Sequence, residues 1–306
     1  MSRQVWSPVL PSPPRPSSGH GTVTRFAPSP SGYLHLGHAY SALFAARQAG
    51  DGGRFLLRIE DIDGGRARPE YEAAIFEDLA WLGLSWETPV RRQSDWMAAY
   101  AEALAGLEAR GLVYPCFCTR KEIAAEISRA AAAPHGPAEG LYPGTCRGLS
   151  RAEREDRKAA GGLYALRLDM ERALTEAEAA HGGPLTWHDR ARGPQRCDPR
   201  PQGDVVLARK DVATSYHLSV VVDDAAQGVT LVTRGEDLFE SSHVHRLLQE
   251  LLGLPVPAYH HHRLLADDKG ERLAKRSDAL ALRALRAAGR SPEEVIEMTG
   301  IAEPEA

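Results

Sequence analysis

At 306 residues, with 43% hydrophobic and 25% charged side chains, the chain has enough material for one large domain or two smaller ones around a well-buried core. A net charge of −4 provides no basic field over the whole protein, so any nucleic-acid contact must come from a local patch. No apolar run approaches the roughly 18 to 20 residues of a helical membrane span, so no membrane partner is expected.

The first 20 residues carry five prolines and five serines and lack the apolar stretch of a signal peptide, which predicts a disordered leader. Order is expected from the alternating strand Thr22–Phe26, ended by Pro28 and Pro30. From Leu36, apolar residues at Leu36, Tyr40, Leu43 and Phe44 mark one face of a helix that closes at Gly50 to Gly53. Phe55 to Asp61 reads as a buried strand, followed by helices over about 69–83 and 95–110, each ending at a glycine. Strand, helix, strand, helix is the order of a parallel α/β sheet.

The order breaks at Tyr114-Pro115. Residues 116 to about 200 hold all four cysteines, a Pro/Gly loop at 134–144 and a charged helix near 150–160. The α/β signal returns at Asp204–Arg209 and continues through Tyr216 to Asp224. A strand at Val229–Thr233 and a helix over about 241–252 follow. Two short runs around Asp267-Asp268-Lys269-Gly270 predict a hairpin, and a helix is expected at about 279–289. The expected organisation is a leader at 1–20, a sheet domain at 21–115 and 204–290, an inserted domain at 116–203 and a short tail at 291–306.

His35-Leu36-Gly37-His38 falls after a strand and at a helix start, where unpaired N–H groups and a partial positive charge suit phosphate. Gly37 lets a nucleotide approach the backbone, and two histidines can donate to phosphate oxygens. Four residues alone also fit two surface histidines capping a helix. Cys116-x-Cys118 with Cys146 supplies three thiolates, a spacing that suits a metal better than a disulfide framework and places the protein in a reducing cytoplasm. By ordinary ligand rules His135 or Cys197 would complete tetrahedral zinc.

The run from Arg25 through Phe26, Ala27, Pro28 and Ser29 to His38 resembles the opening of class I glutamyl- and glutaminyl-tRNA synthetases. Arg58-Ile59-Glu60-Asp61 resembles their second block, Arg234-Gly235-Glu236-Asp237 fits a later one, and Arg272-Leu273-Ala274-Lys275-Arg276 lies where they carry a lysine loop. This resemblance covers about residues 22 to 280. It implies a Rossmann-like parallel sheet split by an acceptor-stem-type insertion, and an ATP-dependent enzyme that forms an adenylate with Mg2+. His35, Gly37, His38 and Lys275 would bind ATP, with His35, His38 and Lys275 as the catalytic set. The loop lacks the usual hydroxyl before Lys275, which puts the rate of activation in question but not the meeting of a cation with the triphosphate.

A glutamate substrate carries two carboxylates and one ammonium, so its pocket calls for two cations and one anion. Arg25 and Arg234 can pair with carboxylates, Glu60 can take the ammonium and Tyr216 can add a hydroxyl. By the same resemblance, all four belong to the glutamate site, with Phe26, Ala27, Pro28 and Ser29 beside them. Cys-x-Cys followed by Tyr142-x-x-x-Cys146 resembles the zinc site of the truncated glutamyl enzymes that modify queuosine tRNA, the glutamyl-Q tRNA(Asp) synthetases, in which the tyrosine is the fourth ligand. That resemblance implies one structural zinc, L-glutamate and ATP as substrates, tRNA(Asp) with queuosine as acceptor, and a monomer. Roughly 30 residues after Lys275 cannot build an anticodon-binding core. The rival readings are a short glutamyl-tRNA synthetase charging the tRNA 3′ end, which the length disfavours, and a non-catalytic RNA-binding module, which the intact His35-Leu36-Gly37-His38 opposes.

Overall fold

The computed structural model describes residues 21–119, 121–124, 142–209, 212–265 and 281–301. The expected proline- and serine-rich leader, most of the expected Pro/Gly loop with His135, and the expected hairpin with Arg272 and Lys275 lie outside them.

Strands β1 (Val23–Phe26), β2 (Arg54–Ile59) and β3 (Glu87–Arg92) form a parallel sheet in the order β1-β2-β3. β1 and the inner half of β2 are buried throughout, as expected of parallel strands covered on both faces. β3 has no sequence signal because it is a polar edge strand interrupted by Pro89. Helices α1 (Leu36–Ala49), α2 (Pro69–Trp81) and α3 (Met97–Ala109) connect these strands and lead away from them.

β4 (Val113–Cys116), β5 (Ala165–Leu168) and β8 (Val206–Arg209) form a separate antiparallel sheet in the order β4-β5-β8, with α4 (Arg151–Ala159) between its first two strands. The strand read at 204–209 as a return to the parallel sheet therefore belongs here. Asp204 anchors this sheet, accepting from Tyr114 Oη, from Arg147 Nε at 2.8 Å and from the Met170 amide at 3.0 Å.

The segment expected as one insert is divided. Helix α5 (Met170–His181) leaves the antiparallel sheet, and strands β6 (Thr186–Asp189) and β7 (Gly193–Arg196) join β10 (Ala258–His262) and β9 (Leu231–Gly235) in a four-stranded sheet of order β7-β6-β10-β9. The physical reason is burial: Ala173, Leu174, Ala177, Leu185, Trp187 and Cys197 share one core with Val23, Leu56 and Val232. Helix α6 (Tyr216–Ala226) then leads to β9 (Leu231–Gly235), α7 (Phe239–Leu252) and β10 (Ala258–His262), with β9 and β10 parallel. Short helices α8 (Leu282–Ala287) and α9 (Pro292–Thr299) pack into a second core with α1 and α2 on the other side of β2.

The β1-β2-β3 sheet and the four-stranded sheet meet between β1 and β9. The Thr230 amide donates to Val23 O at 3.0 Å, and Arg25 Nη1 donates to Thr233 O at 3.0 Å, so the contacts advance in the same direction along both strands. The resulting sequence β3-β2-β1-β9-β10 reverses at β1. In open α/β sheets such a reversal opens a ligand crevice at the carboxyl ends of the strands.

Candidate active site

Four expected residues come together at that crevice: Arg25 near the end of β1, Glu60 just after β2, Arg234 near the end of β9 and Tyr216 at the start of α6. Ser215 caps α6, accepting from the Leu218 amide, and thereby fixes where Tyr216 begins. Glu60 and Tyr216 line a cleft of about 520 Å³ together with Ser29, Gln93, Arg167 and Arg209.

Arg25 departs from expectation. Its guanidinium is committed to Asp224, with Nε at 2.9 Å and Nη2 at 3.4 Å, while Nη1 holds Thr233 O. Arg58, fully buried, donates from Nη1 to the same Asp224 at 2.8 Å and lies 3.4 Å from Glu60 and 3.8 Å from Asp223. Burial opposes the charge on Arg58, but Asp224, Asp223 and Glu60 outweigh it and hold its proton more tightly than usual. Asp224 stays below the ordinary carboxylate range because Arg25 and Arg58 outweigh the effect of its burial. Asp223 accepts from Arg91, Gln93 and Tyr100.

Glu60 and Arg234 differ from this closed network. Burial pushes the Glu60 carboxyl up, and the charges of Arg58 and Arg25 only partly offset it. A cationic ligand would favour its charged form. Arg234 is 6% exposed, donates from Nη1 to His245 Nδ1 at 3.0 Å, and has no hydrogen-bond partner at Nε or Nη2. Burial raises the Tyr216 hydroxyl, with Arg234 and Arg25 opposing Glu60 and Asp224 around it. These groups therefore share one electrostatic neighbourhood.

On the other side of the Ser29–Ser31 loop, Phe26, Ala27, Pro28, Ser29, His35 and His38 line a second cavity of about 460 Å³. The structure thus separates Phe26, Ala27 and Pro28 from the cleft of Glu60 and Tyr216, and Ser29 lines both. His35 Nδ1 accepts from the Gly37 amide at 3.1 Å, and His38 Nδ1 accepts from the His35 amide at 3.2 Å. Each neutral ring therefore carries its proton on Nε2, as a donor. The bland and the functional readings of these histidines coexist: they cap α1 reciprocally and line a cavity. Gly37 also leaves room for the His35 ring. A Cβ there would meet the His35 ring at 3.1 Å, and the Gly37 amide already serves His35.

The sulfurs of Cys116, Cys118 and Cys146 lie within 4.8 Å of one another, and the hydroxyl of Tyr142 sits 3.2 Å from Cys116 Sγ and 3.8 Å from Cys118 Sγ. Tetrahedral zinc at its usual bond length to sulfur separates thiolates by about 3.8 Å, so this donor set fits one ion. Burial opposes the Cys116 thiolate, yet hydrogen bonds from Tyr142 and Arg167 hold the group below the ordinary thiol range. Cys197 is elsewhere, buried in the main core and donating to His243 O at 3.2 Å.

The model of class I tRNA synthetases (E and Q), catalytic domain, matches residues 22–301. The glutamyl-Q tRNA(Asp) synthetase of Rhodobacter capsulatus is 53% identical over 285 residues, covering 91% of this chain and all of that protein. Its namesake in Nocardia farcinica is 48% identical, covering 91% and 83%. This chain belongs to the class I (E and Q) tRNA synthetases, in their glutamyl-Q branch. The glutamate tRNA ligase of Elizabethkingia meningosepticum, solved in complex with its amino acid, superposes with a TM-score of 0.73 at 27% identity. It matches 92% of this chain, and the chain spans 61% of that structure.

Within this family frame, Arg58, Asp223, Asp224 and His245 are the site residues that sequence reading missed. Arg58 and Glu60 stand two residues apart where β2 ends, which was a usable signal. Asp223 and Asp224 sit inside an apolar helix facing that strand, Asp224 lying 166 residues beyond Arg58, and nothing local marks them.

Proposed function

We propose that this chain is an ATP-dependent ligase that activates L-glutamate as glutamyl-adenylate without RNA and transfers it to the queuosine base in the anticodon loop of tRNA(Asp). The observation that carries the glutamate reading is Arg234, a buried cation lacking a carboxylate partner among the described residues, which acts on Tyr216 together with a Glu60 whose burial disfavours its own charge. Such a pair suits a ligand with a carboxylate at one end and an ammonium at the other.

In this reading Arg234 takes a substrate carboxylate, Glu60 the ammonium, and Tyr216 adds a hydroxyl. Arg25 contributes its field, since its hydrogen bonds belong to Asp224 and Thr233. ATP with Mg2+ occupies the cavity of His35 and His38, whose Nε2–H groups donate to phosphate oxygens. Lys275 meets the triphosphate from the segment outside the described residues. The substrate carboxylate attacks the α-phosphorus and pyrophosphate leaves. Cys116, Cys118, Cys146 and Tyr142 would hold one structural zinc, which supplies shape rather than a chemical step. The acceptor assignment rests on the relatives that bear the glutamyl-Q name. The reaction belongs to the cytoplasm, and among the described residues no helix is long and apolar enough to cross a membrane.

Glutamate-dependent exchange of labelled pyrophosphate into ATP should proceed with no tRNA present. Transfer should survive removal of the terminal adenosine of tRNA and fail with tRNA from cells unable to insert queuosine. The opposite transfer pattern would favour 3′-end charging.

A further inference from the structure

A buried arginine is ordinarily held by a carboxylate, and two of the three in this crevice are: Arg25 and Arg58 share Asp224. Arg234 is held instead by imidazole. Its Nη1 lies 3.0 Å from His245 Nδ1, and its guanidinium sits 5.5 Å from the centre of the Tyr259 ring. Because a guanidinium only donates, His245 Nδ1 must accept, so the His245 proton is on Nε2. That Nε2 lies 3.2 Å from His217 Nδ1, which must then accept in turn. One arrangement of protons satisfies the chain Arg234–His245–His217, and in it both rings are neutral. Burial keeps them so, aided by the Arg234 charge: His245 is held well below its ordinary range and His217 is lowered to about 4.

Resting on the glutamate reading above, we infer that His245 is a positioning residue that fixes the plane of Arg234 while leaving its charge uncompensated, so that the full cation meets the substrate carboxylate. A carboxylate at 245 would hold the guanidinium equally well and cancel the charge. An imidazole supplies the acceptor alone. The consequence is selectivity for glutamate over its uncharged amide, glutamine, since an uncompensated buried cation discriminates between them most strongly.

Three variants in the RNA-free exchange assay test this. His245→Asp should raise the glutamate KM about tenfold or more and lower the glutamate-to-glutamine ratio of kcat/KM by a similar factor, with the ATP KM unchanged. His245→Asn, whose amide oxygen can replace Nδ1 as acceptor, should stay within about threefold of the parent. His245→Leu should fall between them, and if the Asp variant does not fold, the Leu–Asn difference decides. Parent-like selectivity in His245→Asp, or equal loss in Asn and Leu together with a lowered Tm, would make the histidine a fold brace and overturn the inference. Arg234→Gln separates the two levels. An unchanged glutamate KM there removes Arg234 from the pocket and defeats the underlying reading, whereas a raised KM beside a parent-like His245→Asp defeats only the role given to His245.

Discussion

In the crevice, the functional side chains leave strands whose preceding residues are buried: Leu57 and Ile59 before Glu60, Leu231 and Val232 before Arg234. At the cysteine knuckle the buried set among the described residues is Tyr114, Cys116 and Cys146, with Phe117, Cys118, Tyr142 and Leu149 packed against it. The crevice draws its shape from two extended cores and a closed charge network. Among the described residues the knuckle offers little apolar surface, and on the zinc reading its shape would come from the ion that the donors bind. Damage to the frame, to its charge balance and to the metal should therefore be separable.

The largest expected effect comes from Asp224→Ala. It removes the shared partner of Arg25 and Arg58, both essentially buried, and breaking a buried pair from one side costs about 3–5 kcal/mol. Thermal unfolding should show a Tm lower by ten degrees or so, by order of magnitude. A parent-like Tm would mean that the network is not what stiffens the crevice.

A smaller effect sharpens the comparison by asking whether every buried charge in the supporting layers is balanced. Asp78 on α2 is fully buried, neither carboxylate oxygen has a hydrogen-bond partner, and Arg286 of α8 lies 3.6 Å away. Burial, only partly offset by Arg286, raises its carboxyl to about 6. Raised in the folded state, the group binds its proton more tightly there than in the unfolded chain. Its stabilising contribution is fully present below the ordinary value of 3.8 and is lost as pH rises through about 6. Asp78→Asn, neutral throughout, should escape that loss and gain up to about 3 kcal/mol at pH 8 while matching the parent near pH 4. Tm measured at both pH values checks the sign, and an Asn variant less stable at pH 8 would show that Asp78 is charged and well paired in the fold.

What was legible in the sequence follows the range of the interactions involved. The start of α1, the strand before Glu60 and the cysteine spacing are set by neighbours within a few residues, and they could be read. The division of residues 116–203 could not, because α5 and β6 are drawn into the main core by partners such as Val23 and Leu56 more than a hundred residues away. Arg25 is the instructive case at the site. Its type and position pointed to a substrate cation, but Asp224, 199 residues on, already holds it, and that long-range fact makes Arg234 the open cation. Tyr142, the ligand that the resemblance implied, lies 3.2 Å from Cys116 Sγ; of the two that ordinary ligand rules offered, Cys197 is in the main core and His135 is outside the described residues.

The smallest expected effect on activation belongs to the knuckle. Freshly purified protein should carry about one zinc per chain by elemental analysis, and Cys116→Ser should lose it, because a three-donor set of lower charge binds far more weakly. Exchange of pyrophosphate should then stay within about twofold, since 1.4 kcal/mol is needed for even a tenfold change and no strand-end residue of the glutamate set depends on the knuckle. The one physical link is the shared cleft. Cys118 and Arg167 line it opposite Glu60 and Tyr216, and Arg167 stacks 4.0 Å over the Tyr142 ring. Losing the metal should therefore loosen one wall of that cleft without touching the strand ends, lowering transfer to tRNA more than activation. Faster proteolysis confined to the segment around 116–149, with exchange intact and transfer reduced, is the expected pattern. Exchange falling in step with metal content would instead place the knuckle inside the activation site, and metal-free protein with parent-like proteolysis and transfer would show that the four donors are held by packing after all.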